Sequence, residues 1–428
     1  MSRYRKSEEM LERALRSIPL GSQTFSKSHT QYPRGVSPFF LERGKGCRVW
    51  DVDGNEYVDF VNGLASVTLG YCDPDVDTAV ARQLQSGVIF TLPHPLEVEV
   101  AEKIVEMVPC AEQVRFGKNG SDATAGAIRV ARAYTGRDRV AVCGYHGWQD
   151  WYIGSTARNR GVPAAVRNLT HTFTYNNAAS LHTVLTSHPG EFAAVILEPM
   201  NVAAPAPGFL EEVRELAHNH GALLVFDETI TGFRFANGGA QEYFGVTPDL
   251  ATFGKGLANG YPVSAVAGPA RIMHVMEEIF FSFTFGGETL SLAAALATLE
   301  KLQREPVVAV LAERGARLVA SLQARIDALA LGDVLSVSGH PSWSFLTIRD
   351  APGCTLWELK TLLLQELFAR GVLTLGTHNM SYAHRDDDLM TLDAAYADAL
   401  AVVKDAVEAR AAAKFLRCKP LESLFKVR

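Results

Sequence analysis

Phe192-Ala-Ala-Val-Ile-Leu-Glu-Pro199, the segment from Phe209 to Asn219, and Ala222-Leu-Leu-Val-Phe-Asp227 make up the stretch on which the fold turns. The first and last pieces are short, unbroken apolar runs, as expected of strands buried on both faces. Between them Leu210, Val213, Leu216 and Ala217 share one helical face, and Gly221 supplies the stop. A strand, a helix and a strand in that order predict parallel pairing in a sheet covered on both sides, with ligands at the carboxyl ends of the strands. Asp227 stands at such an end.

Downstream, Asp249-Leu-Ala-Thr-Phe-Gly-Lys-Gly-Leu-Ala258 carries Lys255 just past another apolar run. A lysine amine there can form a Schiff base with an aldehyde cofactor. A carboxylate on a neighbouring strand can keep a pyridine nitrogen protonated, so that the ring accepts the electrons of a carbanion. One Gly-Lys-Gly and one strand-terminal Asp match many chains by accident, so the surroundings have to decide. Val114-Arg-Phe-Gly-Lys-Asn-Gly-Ser-Asp-Ala-Thr124 reads as a strand, a glycine turn and a helix start, with Ala127, Val130, Ala131 and Tyr134 at helical spacing. Free N–H groups around Gly120 and Ser121 suit a phosphate. Arg139-Val-Ala-Val-Cys-Gly-Tyr-His-Gly-Trp148 reads as a strand that runs out into Tyr145 and His146, where a flat ring can stack on a bound heterocycle. The competing reading makes Trp148, Trp151 and Tyr152 an aromatic cluster closing the core.

Together these segments resemble the class III aminotransferases of pyridoxal-phosphate fold type I, and within them the glutamate-1-semialdehyde aminomutase branch. The resemblance runs from Trp50-Asp-Val-Asp-Gly-Asn-Glu-Tyr-Val-Asp-Phe60 through Asn119-Gly-Ser-Asp-Ala-Thr124, Tyr145-His-Gly147, Leu197-Glu-Pro199, Phe226-Asp-Glu-Thr-Ile-Thr-Gly-Phe-Arg234 and Phe253-Gly-Lys-Gly256 to Phe283-Thr-Phe-Gly-Gly287. It implies an α/β fold of the aspartate aminotransferase type, with a large, mostly parallel sheet domain and a smaller α+β domain. The expected division is an N-terminal segment over 1–65, a cofactor-binding domain over 66–310 and a C-terminal domain with a tail over 311–428. Pyridoxal 5′-phosphate is the implied cofactor. Lys255 would hold it, be displaced by the incoming amine, and move a proton between the substrate α-carbon and the cofactor C4′. Asp227 would stabilise the protonated ring nitrogen, Tyr145 would stack on the ring, and Gly120 and Ser121 would anchor the phosphate. Thr284 lies where relatives place a phosphate ligand from the second subunit, which implies a homodimer with shared active sites. The implied partners are a small-molecule amino donor and a carbonyl acceptor.

Departures from the family pattern bear on the substrate. Ile230 stands where many class III relatives carry a glutamine, and the aminomutase branch is also apolar there. The nearest counterpart of that branch's carboxylate-binding arginine, in Ser22-Gln-Thr-Phe-Ser-Lys-Ser28, is Lys27, which cannot reproduce a bidentate fork. Gly287-Glu-Thr289 replaces Gly-Asn-Pro, and Trp148 replaces a second histidine. Lys27 and Trp148 are therefore the candidate substrate contacts. The reading is a transaminase acting on a small or medium carbonyl compound with a donor such as glutamate. An aminomutase, or an ammonia-lyase or racemase, begins with the same proton loss, and fold does not choose among them. A nucleotide-binding role for the glycine-lysine segments lacks the Gly-x-x-x-x-Gly-Lys-Ser/Thr pattern.

At 428 residues, 47% hydrophobic and 21% charged, the chain has the composition of a globular enzyme with a large core. The net charge of −6 without a long block of either sign gives no footprint for nucleic acid. Cysteines 47, 72, 110, 143, 354 and 418 form no Cys-x-x-Cys pair, so they are expected as reduced thiols without a metal. The charged N-terminus leads into a helical pattern through Leu11, Ala14, Leu15 and Ile18, and no run reaches membrane-spanning length. Cytoplasmic residence without membrane contact is the default expectation. Asp53-Gly54 marks a hairpin. After about residue 310 the pattern gives a long helix, short strands over 334–348, and helices over 356–370 and 387–410, with Arg385-Asp-Asp-Asp388 opening the last. Arg410, Lys414, Arg417, Lys419, Lys426 and Arg428 are interleaved with Ala411 to Ala413, Leu416, Leu421, Leu424 and Phe425, which reads as a helix and strap packed on the body.

Overall fold

The computed structural model describes residues 3–423. These divide into two compact units, one of residues 3–64, 68–73 and 309–423, the other of 65–67 and 74–308.

The second unit is built on seven strands: β1 (Gln113–Gly117), β2 (Arg139–Cys143), β3 (Thr170–Thr172), β4 (Phe192–Leu197), β5 (Leu223–Asp227), β6 (Leu250–Phe253) and β7 (Ser264–Gly268). Their order across the sheet is β1-β7-β6-β5-β4-β2-β3. Only β7 runs against its neighbours, pairing antiparallel with both β1 and β6, while the remaining ladders are parallel. Every residue of β4 and β5 is buried. Alternation along these strands sends Ile196 and Val225 into one apolar cluster and Val195, Leu197, Leu224 and Phe226 into the other. Helix α1 (Gly120–Thr135) contributes Ala123, Ala127, Ile128, Val130 and Ala131 to the first. Helix α2 (Phe209–Asn219) contributes Phe209, Leu210, Val213 and Ala217 to the second. Helices thus cover opposite faces, and the carboxyl ends of the strands are left to hold a ligand.

The first unit carries two small sheets. One comprises Leu41–Lys45, Arg48–Asp51, Glu56–Asp59 and Val372–Leu373, the other Leu335–His340, Trp343–Ile348 and Thr377–Asn379. At the hairpin tip the Asp53 carboxylate accepts from the N–H groups of Lys6 (2.7 Å) and Ser7 (2.9 Å), satisfying the start of the helix Arg5–Leu15. The helix Asp386–Glu408 opens on Asp386, Asp387 and Asp388, and Asp388 also takes Arg48 at 2.7 Å. The tail turns through Ala412–Phe415 and then docks by Leu421 N–H donating to Thr361 Oγ1 at 2.8 Å; Leu424, Phe425, Lys426 and Arg428 lie outside the described residues. All six cysteines are free thiols. Among the described residues, no helix is long and apolar enough to cross a membrane.

Phe226 is fully buried one position before Asp227. Phe226→Ala should cost about 3–5 kcal/mol, read as a lower denaturation midpoint, whereas Tyr243→Ala, at a half-exposed position, should change it little. Equal effects would contradict the packing described.

Candidate active site

Three chain segments converge on the carboxyl edge of the sheet. The turn after β1 places Gly120 and Ser121 at the start of α1, where Asn119 caps the helix by accepting from Asp122 N–H at 3.1 Å. The Asp122 carboxylate in return accepts from the N–H groups of Lys118 and Asn119, both at 3.0 Å. These caps leave the first N–H groups of the helix facing the cleft.

β2 ends in Cys143-Gly-Tyr-His-Gly147, and both glycines are needed. Gly144 has φ +107°, and a Cβ there would lie 2.6 Å from Glu198 Oε2; Gly147 has φ +99°, and a Cβ would lie 2.2 Å from Ser121 Oγ. The loop therefore presses on Glu198 at one side and on Ser121 at the other. Glu198 Oε2 accepts from Tyr145 N–H at 2.9 Å and from Asn201 Nδ2 at 2.8 Å, so the buried carboxylate has the partners its position demands. Tyr145 meets Tyr152 edge to face, centroids 5.8 Å apart, and the Tyr152 hydroxyl donates to Gly144 O at 2.8 Å. Trp151 and Tyr152 are core residues, whereas Trp148 is 65% exposed at the cleft mouth.

Asp227 ends β5, opposite Thr252 of β6. Burial pushes its carboxyl up, but His146 and Thr229 outweigh that and hold it below its ordinary value. His146 Nδ1 lies 2.8 Å from Oδ2, with its Nε2 3.1 Å from Cys143 O. Oδ1 accepts from Thr229 N–H (3.1 Å), Thr229 Oγ1 (2.6 Å) and Thr252 Oγ1 (3.3 Å). Glu228, the next residue, turns to the other side and accepts from Thr231 Oγ1 and Gln241 Nε2 at 2.9 and 3.0 Å. Burial pushes its carboxyl up, the reverse of Asp227. Lys255 follows β6 with φ +41°, a left-handed backbone rare for a side-chain residue and frequent at functional sites.

Asp227, Lys255, Gly120, Ser121, Tyr145, Trp148 and Ile230 line one cleft of about 300 Å³, the lower end of the range for small-molecule sites. Helix N–H groups for a phosphate, a buried ionised carboxylate for a ring nitrogen, an aromatic face and a primary amine fit pyridoxal phosphate part for part. Lys27 belongs to the other unit, on the short turn Phe25–Lys27. Thr284 is exposed on a turn and does not line this cleft.

A family model described as Aminotransferase class-III matches residues 31–380. The chain is a class III aminotransferase. It resembles the 3-aminobutyryl-CoA aminotransferase of Cloacimonas acidaminovorans (strain Evry), at 36% identity over 93% of this chain and 97% of the other. It also resembles the glutamate-1-semialdehyde 2,1-aminomutase of Syntrophobacter fumaroxidans (strain DSM 10017 / MPOB), at 40% identity over 91% and 96%. Among solved structures, the FumI protein of Sphingopyxis sp. MTA144 superposes with a TM-score of 0.88 at 31% identity, covering 97% of this chain and 99% of the other. This aminotransferase is a pyridoxal-phosphate enzyme of fold type I, and it moves an amino group between a small-molecule donor and a carbonyl acceptor.

Sequence reasoning assigned no role to His146, Thr229 or Thr252, and left Glu198 aside. His146 had a signal: it adjoins Tyr145 just past a strand end, and residues on alternate sides of an extended chain face opposite ways. The threonines had none.

His146→Phe should shift the acid limb of the kcat/KM profile to higher pH by about one unit or more. The wild-type carboxyl lies below its free value, so its ion contributes stability and activity that vanish only as the pH falls through that low value. Without His146 burial acts with less opposition and the loss begins earlier. A drop in rate with an unmoved limb would mean that His146 is merely structural.

Proposed function

We propose that this enzyme aminates an acceptor whose carboxyl group is masked as a thioester, with nitrogen passing between two molecules. The observation that carries the reading is the lining of the cleft: among its described residues, Lys255 is the one lysine or arginine, so the cleft lining offers an acceptor's free carboxylate no second cation. Trp148 and Ile230 instead give the cleft an apolar flank. The similarity to a 3-aminobutyryl-CoA aminotransferase agrees with this. In sequence, Lys27 offers a point charge where the aminomutase branch has an arginine able to grip a carboxylate with both its nitrogens.

When bound, pyridoxal phosphate supplies the aldehyde carbon and the electron-accepting ring. The chain does the rest. The N–H groups of Gly120 and Ser121, with the Ser121 hydroxyl, bind the phosphate. Tyr145, clamped through its N–H by Glu198, orients the ring. Asp227 keeps a proton on the ring nitrogen because His146 and Thr229 keep its own carboxyl ionised. The Lys255 amine takes and returns the proton at the amine-bearing carbon of the substrate. Thr284 of a second copy completes the phosphate site, so the active unit is a homodimer, the commonest soluble symmetry.

A second reading, an intramolecular aminomutase, is favoured by the 40% identity to an enzyme of that name. Steady-state turnover separates the two. We expect amination of 3-oxobutyryl thioesters to require an added donor such as glutamate, and glutamate 1-semialdehyde to be converted poorly without one. Efficient donor-free conversion of the semialdehyde would promote the aminomutase. In either case Asp227→Asn should lower kcat by about 10²–10⁴-fold, because an amide cannot hold the proton on the ring nitrogen. Wild-type turnover of that variant would remove Asp227 from the site.

A further inference from the structure

A second cavity, of about 640 Å³, opens at the same edge of the sheet. Val142 and Cys143 of β2 and Phe173 just past β3 form its buried end, while Ser155, Thr156 and Asn201 stand at its more exposed end. Glu198, at the end of β4, lines both this cavity and the Lys255 cleft. The sheet order β6-β5-β4-β2-β3 sets the separation. At about 4.8 Å per strand, Glu198 lies roughly 10 Å along the edge from the Lys255 strand, and β2 roughly 14 Å.

We infer that this cavity receives the pantetheine-type arm of an acyl-thioester acceptor whose reacting carbon is held at Lys255. The inference rests on the acceptor class proposed above and deepens it. Glu198 lines both cavities, so an acceptor with a long thioester arm extends from the Lys255 cleft into the second one, which a four-carbon free acid does not need. The walls are apolar at Val142 and Phe173 in the interior and at Ala157 and Val202 on the rim, with the polar groups of Ser155, Thr156 and Asn201 between, which matches the alternation of methylenes and amides in such an arm. The hydroxyl of Ser155 already donates to Tyr152 O, and that of Thr156 to Ile153 O, both at 2.8 Å, while Thr156 Oγ1 also accepts from Arg158 N–H at 3.1 Å. The Ser155 oxygen therefore faces the arm as an acceptor, which suits an amide N–H along a pantetheine chain. Arg158 and Arg160 follow Thr156 in sequence and are exposed.

The test is calorimetric titration of the cofactor-loaded enzyme with S-butyryl-pantetheine, which has the arm but lacks the 3-oxo group, against butyrate. Butyryl-pantetheine should bind at least about tenfold more tightly than butyrate. Ala157→Trp, at an exposed position of the cavity rim, and Thr156→Trp should each weaken its binding by about tenfold or more, with the KM for the amino donor unchanged. Equal binding of the two probes, or pantetheine binding indifferent to both substitutions, would overturn the assignment. Failure of the parent reading looks different: butyryl-pantetheine binds as described, yet 3-oxobutyryl-pantetheine is not aminated.

Discussion

For Asp227 to hold a proton on a ring nitrogen, as proposed, a carboxylate that is 4% exposed has to be ionised, and burial opposes that. The surroundings of Asp227 answer the conflict. His146 faces one oxygen, and Thr229, from its N–H and its hydroxyl, together with Thr252, supplies the other. Hydrogen bonds to the charged form favour it, and an unpaired charge at this depth would take up a proton instead. The neighbouring Glu228 shows that a position at the strand end does not by itself lower a carboxyl's pKa, since burial pushes that group up despite its own hydrogen bonds.

Holding His146 against Asp227 dictates much of the local backbone. The Tyr145-His146 pair has to leave β2, turn back over the sheet edge and pass close to both Glu198 and Ser121. Only glycines at 144 and 147 allow this, given their positive φ and the contacts a Cβ would make. The same turn brings Tyr145 into the cleft and ties it by its N–H to Glu198, while Trp148 N–H donates to Ser121 Oγ, so the carboxylate, the aromatic face and the Gly120–Ser121 turn form one connected assembly. The parallel sheet supplies the frame, because the carboxyl ends of β2, β4, β5 and β6 lie side by side.

What could be read from the chain follows from which residues carry a local signal. β4, α2 and β5 were legible because unbroken apolar runs flank a helical stripe, and the clusters show why both faces had to be apolar. Asp227, Lys255 and the Gly120 turn were legible because each ends such a run. β7, with the sequence Ser-Ala-Val-Ala-Gly, was not read; its residues are small, and its two flanking ladders, not its own pattern, make it a strand. β3, Thr-His-Thr at the sheet edge, lacks an apolar pattern as well. The support given by Thr229, Thr252 and His146 exists only once β2, β5 and β6 are neighbours. The cavity beyond Glu198 likewise depends on the pairing of β2 with β3 and β4.

The central claim is that Lys255, at the end of β6 and facing the Asp227 assembly, carries the cofactor. Borohydride reduction of the holoenzyme, followed by peptide mapping, measures this directly. The account predicts one stable cofactor adduct, on the peptide containing Phe253-Gly-Lys-Gly256, and its loss in Lys255→Ala. An adduct on any other lysine would contradict it.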